Sequence, residues 1–271
     1  MNGLLSLNGK FTFASGADIS ALSTAALYGK GIFTSVAIHD GEPFLWEKHW
    51  LRLSVNAAQI GIDLSEHSKE SSRQALHEIL KENEVASGRA RITFFDEQSS
   101  GIWAFENTRK TSLLILTGEF RPVAESFRVG ISPYPINSCS PLAGVKSCSY
   151  LENFLSVEHA KAGGFDEAIR VNENGHVTSA CMANVFWLKG DVLYTPSLKT
   201  GCLAGTTREF VMENLACREV GARIGELERA DAIFLTSAGL GITEVTMFCD
   251  KVMDKPAGTQ AASLRVLLNS K

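Results

Sequence analysis

The chain has 271 residues, 45% hydrophobic and 21% charged, a balance that suits a folded globular protein with a sizeable core and excludes the disordered and fibrous classes. A net charge of −4 offers no basic footprint for nucleic acid or an anionic membrane, so a small-molecule partner is expected.

The opening residues, MNGLLSLNGKFTFASG, show no basic region followed by an apolar run and a small-residue cleavage site, and no apolar stretch approaches bilayer length. A cytoplasmic protein with no membrane partner is the expectation. Cysteines 139, 148, 181, 202, 217 and 249 lack the close pairs of a zinc site, so they read as reduced thiols and no metal is expected.

In chain order, LLSLNGKFT reads as a strand with a turn at Asn8-Gly9, and GIFTSVAIHDGEPFLW as a hairpin about Asp40-Gly41, because a turn dipeptide separates two β-prone runs. Apolar spacing from Glu47 to Ile60 predicts a helix with Gly61 at its C-cap position. A second helix is expected over residues 65–84, then strands at ARITFF and TSLLILTG. This gives a small α/β domain over residues 1–120, bounded by the polar, proline-containing GEFRPVAES.

A larger domain is expected over residues 121–271. Its elements are a strand-like run at FRVGISPYPI, a helix from Leu151 to Ala162 closed by Gly163-Gly164, and short strands DEAIRV, HVTSACM, NVFWLKG and DVLYTP. Tight turns, such as Asn172 to Gly175, join the strands, a pattern typical of a strongly curved, barrel-like sheet. A helix from Glu209 to Cys217, a buried strand at IFLTSAGLG and a closing helix over 258–269 complete the α/β (α+β) chain.

Leu203-Ala-Gly-Thr-Thr-Arg208 leads straight into a helix. Free backbone N–H groups in a first helical turn attract anions, so Gly205, Thr206 and Thr207 suit a phosphate; the two threonines suit N-capping equally well. Leu235-Thr-Ser-Ala-Gly239 offers similar groups at a strand end, and an ordinary loop needs the same residues. Arg52 alone reads as a solvated helix charge, and Lys146 alone as a surface lysine. The six histidines, 39, 49, 67, 77, 159 and 176, form no ligand spacing and read as surface or turn residues.

Taken in order, KHWLRL, Lys146 ahead of Tyr150 and a helix, GFDEAIRVNENGHVT, NVFW, LYTP, LAGTTR and FLTSAG resemble the class IV aminotransferase family, pyridoxal-phosphate enzymes of fold type IV. The family includes branched-chain and D-amino-acid aminotransferases and aminodeoxychorismate lyase. The resemblance runs from about Gly29 to Gly241 and implies the two-domain fold type IV, pyridoxal 5'-phosphate as cofactor, an amino acid or 2-oxo acid substrate, and a homodimer.

By the same resemblance, Lys146 forms the Schiff base and shuttles protons, Tyr150 hydrogen-bonds the cofactor's phenolic oxygen, and Arg52 binds its phosphate. Thr206, Thr207, Thr236 and Ser237 match further phosphate contacts, while Arg208 either joins them or fastens its loop. Thr34 and Arg91, on strands of the small domain, are candidate substrate contacts.

One position departs from the pattern. The family usually reads Val-Thr-Glu where this chain has Val177-Thr178-Ser179. A neutral hydroxyl cannot hold a pyridine nitrogen in its charged form as a carboxylate does, so a weaker electron sink is expected. Another group supplies the acid, the chemistry needs less carbanion stabilisation, or activity is lost. Three functions follow: an aminotransferase; a lyase of the aminodeoxychorismate type releasing pyruvate, to which FTSVAIHDG and ANVFWLKGDVLYTP look closer in style; and a non-catalytic phosphate or cofactor binder.

Overall fold

The structure is a computed structural model that describes residues 3–98, 110–120, 122–253 and 258–269. Arg121, first residue of the expected second domain, lies outside the described residues. The chain divides into two compact units, residues 1–120 with 145–150, and residues 121–144 with 151–271.

The first unit holds β1 (Leu4–Leu7), β2 (Lys10–Phe13), α1 (Thr24–Tyr28), β3 (Gly31–His39), β4 (Glu42–Pro43), α2 (Trp46–Ile60), α3 (Lys69–Glu82), β5 (Gly88–Asp96) and β6 (Thr111–Gly118). The strands form one sheet in the order β2-β1-β6-β5-β3-β4. Both expected hairpin turns are present, with Asn8, Gly9, Asp40 and Gly41 at positive φ, as a right-twisted two-residue turn requires. Helix α3 starts at Lys69, later than expected, because Ser68 and Ser71 form a reciprocal capping box there.

Side chains alternate across β3 and β5, and this sorts the unit's chemistry. Ile32, Val36, Ile38, Ala90, Ile92 and Phe94 pack with Trp46 and Leu53 of α2 and Leu76 and Ile79 of α3 in one core. Each fully buried valine, leucine, isoleucine or phenylalanine among them contributes roughly 1.5–3 kcal/mol. The opposite sheet face carries Phe33, Ser35, Arg91 and Thr93. Segment Val145–Tyr150 runs along the start of β3: Phe33 N–H donates to the Lys146 carbonyl at 2.9 Å, and Cys148 N–H to the Gly31 carbonyl at 2.8 Å.

The second unit holds β7 (Arg128–Ile131), α4 (Leu151–Ala162), β8 (Glu167–Val171), β9 (Val177–Ala180), β10 (Asn184–Lys189), β11 (Val192–Pro196), α5 (Thr206–Asn214), β12 (Cys217–Val220), α6 (Ile224–Glu228), β13 (Ala232–Ser237), β14 (Gly241–Glu244), β15 (Met247–Phe248), β16 (Lys251–Val252) and α7 (Thr259–Asn269). The expected barrel-like sheet is two five-stranded sheets, not a closed barrel: β12-β11-β10-β13-β14 and β16-β15-β7-β8-β9. They share one apolar core that includes Val129, Ile169, Val177, Val185, Trp187 and Ile233.

Helix α5 differs from the expected Glu209 to Cys217. Gly205 serves as its N-cap and Leu215 turns extended, which frees Cys217 to start β12, a parallel neighbour of β11. All six cysteines are free thiols. Among the described residues, no helix is long and apolar enough to cross a membrane, and no cluster of metal-ligating side chains occurs.

Candidate functional site

In the first unit, chemistry gathers around Lys146. The residue is half-buried, and its Nζ donates to the Tyr150 hydroxyl at 3.3 Å. The ammonium lies 4.5 Å from the centroid of the Phe33 ring and 5.0 Å from that of Tyr150. The two rings meet edge to face at 5.1 Å. Loss of hydration pushes the Lys146 pKa down to about 7, and the positive charges of Arg52 and Arg91 push in the same direction. The amine is therefore substantially uncharged near neutral pH.

Backbone contacts hold Lys146 in place. Its N–H donates to Asn56 Oδ1 at 2.9 Å, and Asn56 lies on α2 one turn beyond Arg52. Arg91 reaches from β5 across the sheet face, its guanidinium carbon 3.6 Å above the centre of Phe33, and donates Nε to Thr93 Oγ1 at 3.3 Å. Gly31 leaves room for the Cys148 thiol, since a Cβ there would stand 2.9 Å from Sγ. The segment bends at Cys148, where the Tyr150 N–H donates to the Cys148 carbonyl at 2.8 Å, and this turn carries Tyr150 back toward Lys146.

Thr34 lies elsewhere. It is fully buried on the helix-facing side of β3, where its hydroxyl accepts from Arg52 Nη2 at 2.7 Å and meets His49 Nδ1 at 2.6 Å. The structure thus occupies Thr34 with Arg52 and His49, away from the face that carries Lys146 and Arg91. His49 also departs from its expected surface or turn position, being only 1% exposed. His49 and Arg52 share one face of α2 at i, i+3 spacing.

In the second unit, the start of α5 and the end of β13 come together. Thr206 and Thr207 are the first two helical residues, both buried, and neither caps the helix; Gly205 occupies the cap with no side-chain hydrogen bond. A first helical turn points its backbone N–H groups out of the helix end, the geometry that suits an anion. Asn184, which pairs with Thr236 across β10 and β13, donates Nδ2 to the Leu203 carbonyl at 2.8 Å. A Cβ on Gly205 would lie 2.0 Å from Asn184 Oδ1, so any side chain there must displace Asn184.

Among the described residues the buried Thr236 hydroxyl has no hydrogen-bond partner, an unsatisfied group that calls for a ligand oxygen or water. Ser237 accepts from the Leu240 N–H at 3.1 Å and shapes the following turn. Arg208 is turned away to fasten its loop, donating to the Pro196 carbonyl at 3.0 Å and to the Glu219 carboxylate.

Ser179 lies on β9 directly across from Arg170 of β8. Arg170 is 1% exposed and donates to the carbonyls of Tyr134 and Pro135, each at 3.2 Å, and to Glu152 at 3.4 Å. The cross-strand neighbour of Ser179 is thus a guanidinium. The nearby buried acid, Glu167, accepts the N–H groups of Cys181 and Met182 at 3.0 and 3.1 Å, and burial raises its pKa to about 7. Its oxygens are committed to the turn after β9.

His49, Cys148, Asn184 and Arg170 escaped the sequence reading. For His49, Asn184 and Arg170, pairing across strands or onto a helix supplies the signal, and single-residue types do not carry it.

Comparison with known proteins agrees with this arrangement. The chain is 28% identical to aminodeoxychorismate lyase of Bacillus subtilis, over 97% of this chain and 93% of that protein. It is 27% identical to a putative branched-chain-amino-acid aminotransferase of Methanocaldococcus jannaschii, over 88% and 85% of the two chains. The branched-chain aminotransferase of Thermoproteus uzoniensis superposes with a TM-score of 0.88 at 25% identity, covering 100% of this chain and 96% of that one. Solved relatives of this kind have fold type IV, and the two-unit α/β architecture is that fold. The model of the family amino-transferase class IV matches residues 31–248, so the chain belongs to that family of pyridoxal-phosphate-dependent enzymes.

Proposed function

We infer that the protein is an aminotransferase that moves an amino group between an amino acid and a 2-oxo acid, with Lys146 as its reactive amine. The observation that carries this is the enclosed Lys146 amine, its pKa lowered to about 7, beside the Tyr150 hydroxyl. When bound, pyridoxal 5'-phosphate supplies an aldehyde for the lysine and an electron sink for bonds broken at a substrate α-carbon.

The residues present fit that group. Lys146 supplies a nucleophilic amine without an auxiliary base, then holds and returns the proton removed at the α-carbon. Tyr150 fixes the amine's position and offers a hydroxyl to a phenolic oxygen. In the second unit the start of α5 at Thr206 and Thr207 with the hydroxyls of Thr236 and Ser237 suits a phosphate dianion without a metal, and in the first unit the Arg52 guanidinium suits an anion. The unsatisfied Thr236 hydroxyl supports this assignment. Arg91, spread over Phe33, suits a substrate carboxylate. Ser179 is assigned to the pyridine nitrogen.

A second reading, an elimination that releases pyruvate, is favoured by the 28% identity to aminodeoxychorismate lyase and by the neutral residue at 179. Incubation of the purified enzyme with L- and D-amino acids and with aminodeoxychorismate separates the two. An aminotransferase converts its cofactor once and then stalls until a 2-oxo acid is added. A lyase releases pyruvate continuously with no acceptor. No spectral change and no pyruvate with any compound would defeat both.

A homodimer in the cytoplasm is part of this proposal. Leu151, Phe154 and Leu155 stand exposed along one face of α4, and contiguous exposed apolar residues of this kind suit a partner surface.

A further inference from the structure

We propose that His49 is a positioning residue, acting through the Thr34 hydroxyl to hold the Arg52 guanidinium in place for an anion. This rests on the assignment of Arg52 to a phosphate, and it adds a residue that never touches the ligand.

The hydrogen-bond inventory carries the inference. An arginine only donates, so Thr34 Oγ1 is the acceptor of its 2.7 Å bond with Arg52 Nη2. The hydroxyl's own proton must then go elsewhere. Its other contact is His49 Nδ1, at 2.6 Å, a short distance typical of a strong O–H···N bond. The Thr34 hydroxyl both accepts and donates only when Nδ1 is a bare acceptor, which makes His49 the neutral, Nε2-protonated tautomer. A neutral ring also suits its surroundings, since the Arg52 guanidinium already places a positive charge on Thr34.

The arrangement is rigid by construction. His49 is 1% exposed and Thr34 is fully buried, one on α2 and one on β3, so the helix and the sheet both fix the hydroxyl's direction. Thr34 is β-branched and has few rotamers available. The guanidinium is aimed before an anion arrives, which lowers the ordering cost of binding.

The test compares pyridoxal 5'-phosphate with pyridoxal, which lacks the phosphate, as ligands of the full-length apoenzyme. His49→Leu and Thr34→Val should each weaken the phosphorylated compound roughly 10-fold and change pyridoxal less than about twofold. Because both act through one bond chain, the double variant should lose no more than either alone. His49→Asn, which places an acceptor oxygen near the Nδ1 position, should retain near-wild-type affinity. NMR of the labelled imidazole should show Nδ1 unprotonated.

Equal weakening of both ligands would mean a merely structural role and would overturn the proposal, as would an Nδ1-protonated ring. Wild-type affinity in H49L and T34V, while Arg52→Met loses the phosphorylated ligand selectively, would also overturn it but spare the role of Arg52. If R52M binds both compounds like wild type, the Arg52 assignment itself fails. Should H49L not fold, the nearly isosteric T34V carries the same comparison.

Discussion

The Lys146 amine and the Tyr150 hydroxyl stand 3.3 Å apart, brought together by a bend at Cys148, with the ring of Phe33 against both. Burial beside Arg52 and Arg91 makes this amine easier to deprotonate than an ordinary lysine. Labelling of Lys146 by an aldehyde and borohydride should therefore rise with a midpoint near pH 7. Arg91→Met removes one like charge and should move that midpoint upward by up to about one pH unit. Peptide mass spectrometry across a pH series reads both. A wild-type midpoint in the ordinary lysine range would show an amine exposed to water.

The same burial has a stability consequence of definite sign. An unfolded lysine titrates near its ordinary value of 10.5, the folded one near 7, so the unfolded chain binds more protons between these values. The cost of burying the charge is complete below about pH 7 and vanishes as pH rises through 10.5. Lys146→Met should raise the melting temperature of the apoenzyme by a few degrees at pH 6, roughly the effect of 1 kcal/mol or somewhat more in a chain of this size. The gain should shrink steadily toward pH 10. Calorimetry at three pH values suffices, and a gain that grows with pH would contradict the assignment.

Residues whose role follows from a local motif were legible in the sequence, and residues whose role follows from pairing were not. The β1–β2 and β3–β4 hairpins, the C-cap at Gly61 and the bounds of α4 follow from local turn and cap chemistry. The order of motifs singled out Lys146 and Tyr150, and the structure sets their polar atoms 3.3 Å apart. His49 was hidden because its meaning depends on Thr34, fifteen residues earlier on a strand. The threonines at the start of α5 read equally well as caps. Only the side chain of Asn184, from another strand, shows why glycine holds the cap. Short elements such as α1, α6 and β14 to β16 carry too few residues for a periodic signal.

Gly205 offers the next test. A methyl group there would stand 2.0 Å from Asn184 Oδ1, a distance no real contact tolerates, although the glycine's φ of −73° is open to any residue. Gly205→Ala should force Asn184 away from the Leu203 carbonyl and shift the first turn of α5. The expected cost is about 1–3 kcal/mol in apoenzyme stability and a loss of at least roughly 10-fold in affinity for pyridoxal 5'-phosphate. Asn184→Ala in the same background makes room for the methyl and should recover part of the stability. If G205A alone binds the cofactor normally, the helix start is not an anion site.

Ser179, the position that departs from the family's Val-Thr-Glu, pairs across strands with Arg170. Restoring a carboxylate with Ser179→Glu would seem enough to charge a pyridine nitrogen, yet the direct cross-strand neighbour is a buried guanidinium. Side chains at such paired positions lie within contact reach, and a carboxylate beside an arginine forms an ion pair in preference to sharing a proton. The single variant should therefore leave the bound cofactor's spectrum and the NMR signal of its labelled pyridine nitrogen almost unchanged. Arg170→Met combined with S179E frees the carboxylate, and that double variant should shift the nitrogen signal to its protonated position. It should also speed the half-reaction with a competent amino donor roughly 10-fold or more. Arg170→Met alone should do neither, though losing its bonds to the Tyr134 and Pro135 carbonyls should cost about 1–3 kcal/mol in stability. Full protonation in S179E with Arg170 intact would show that the guanidinium does not compete. No change even in the double variant would place the pyridine contact at another residue.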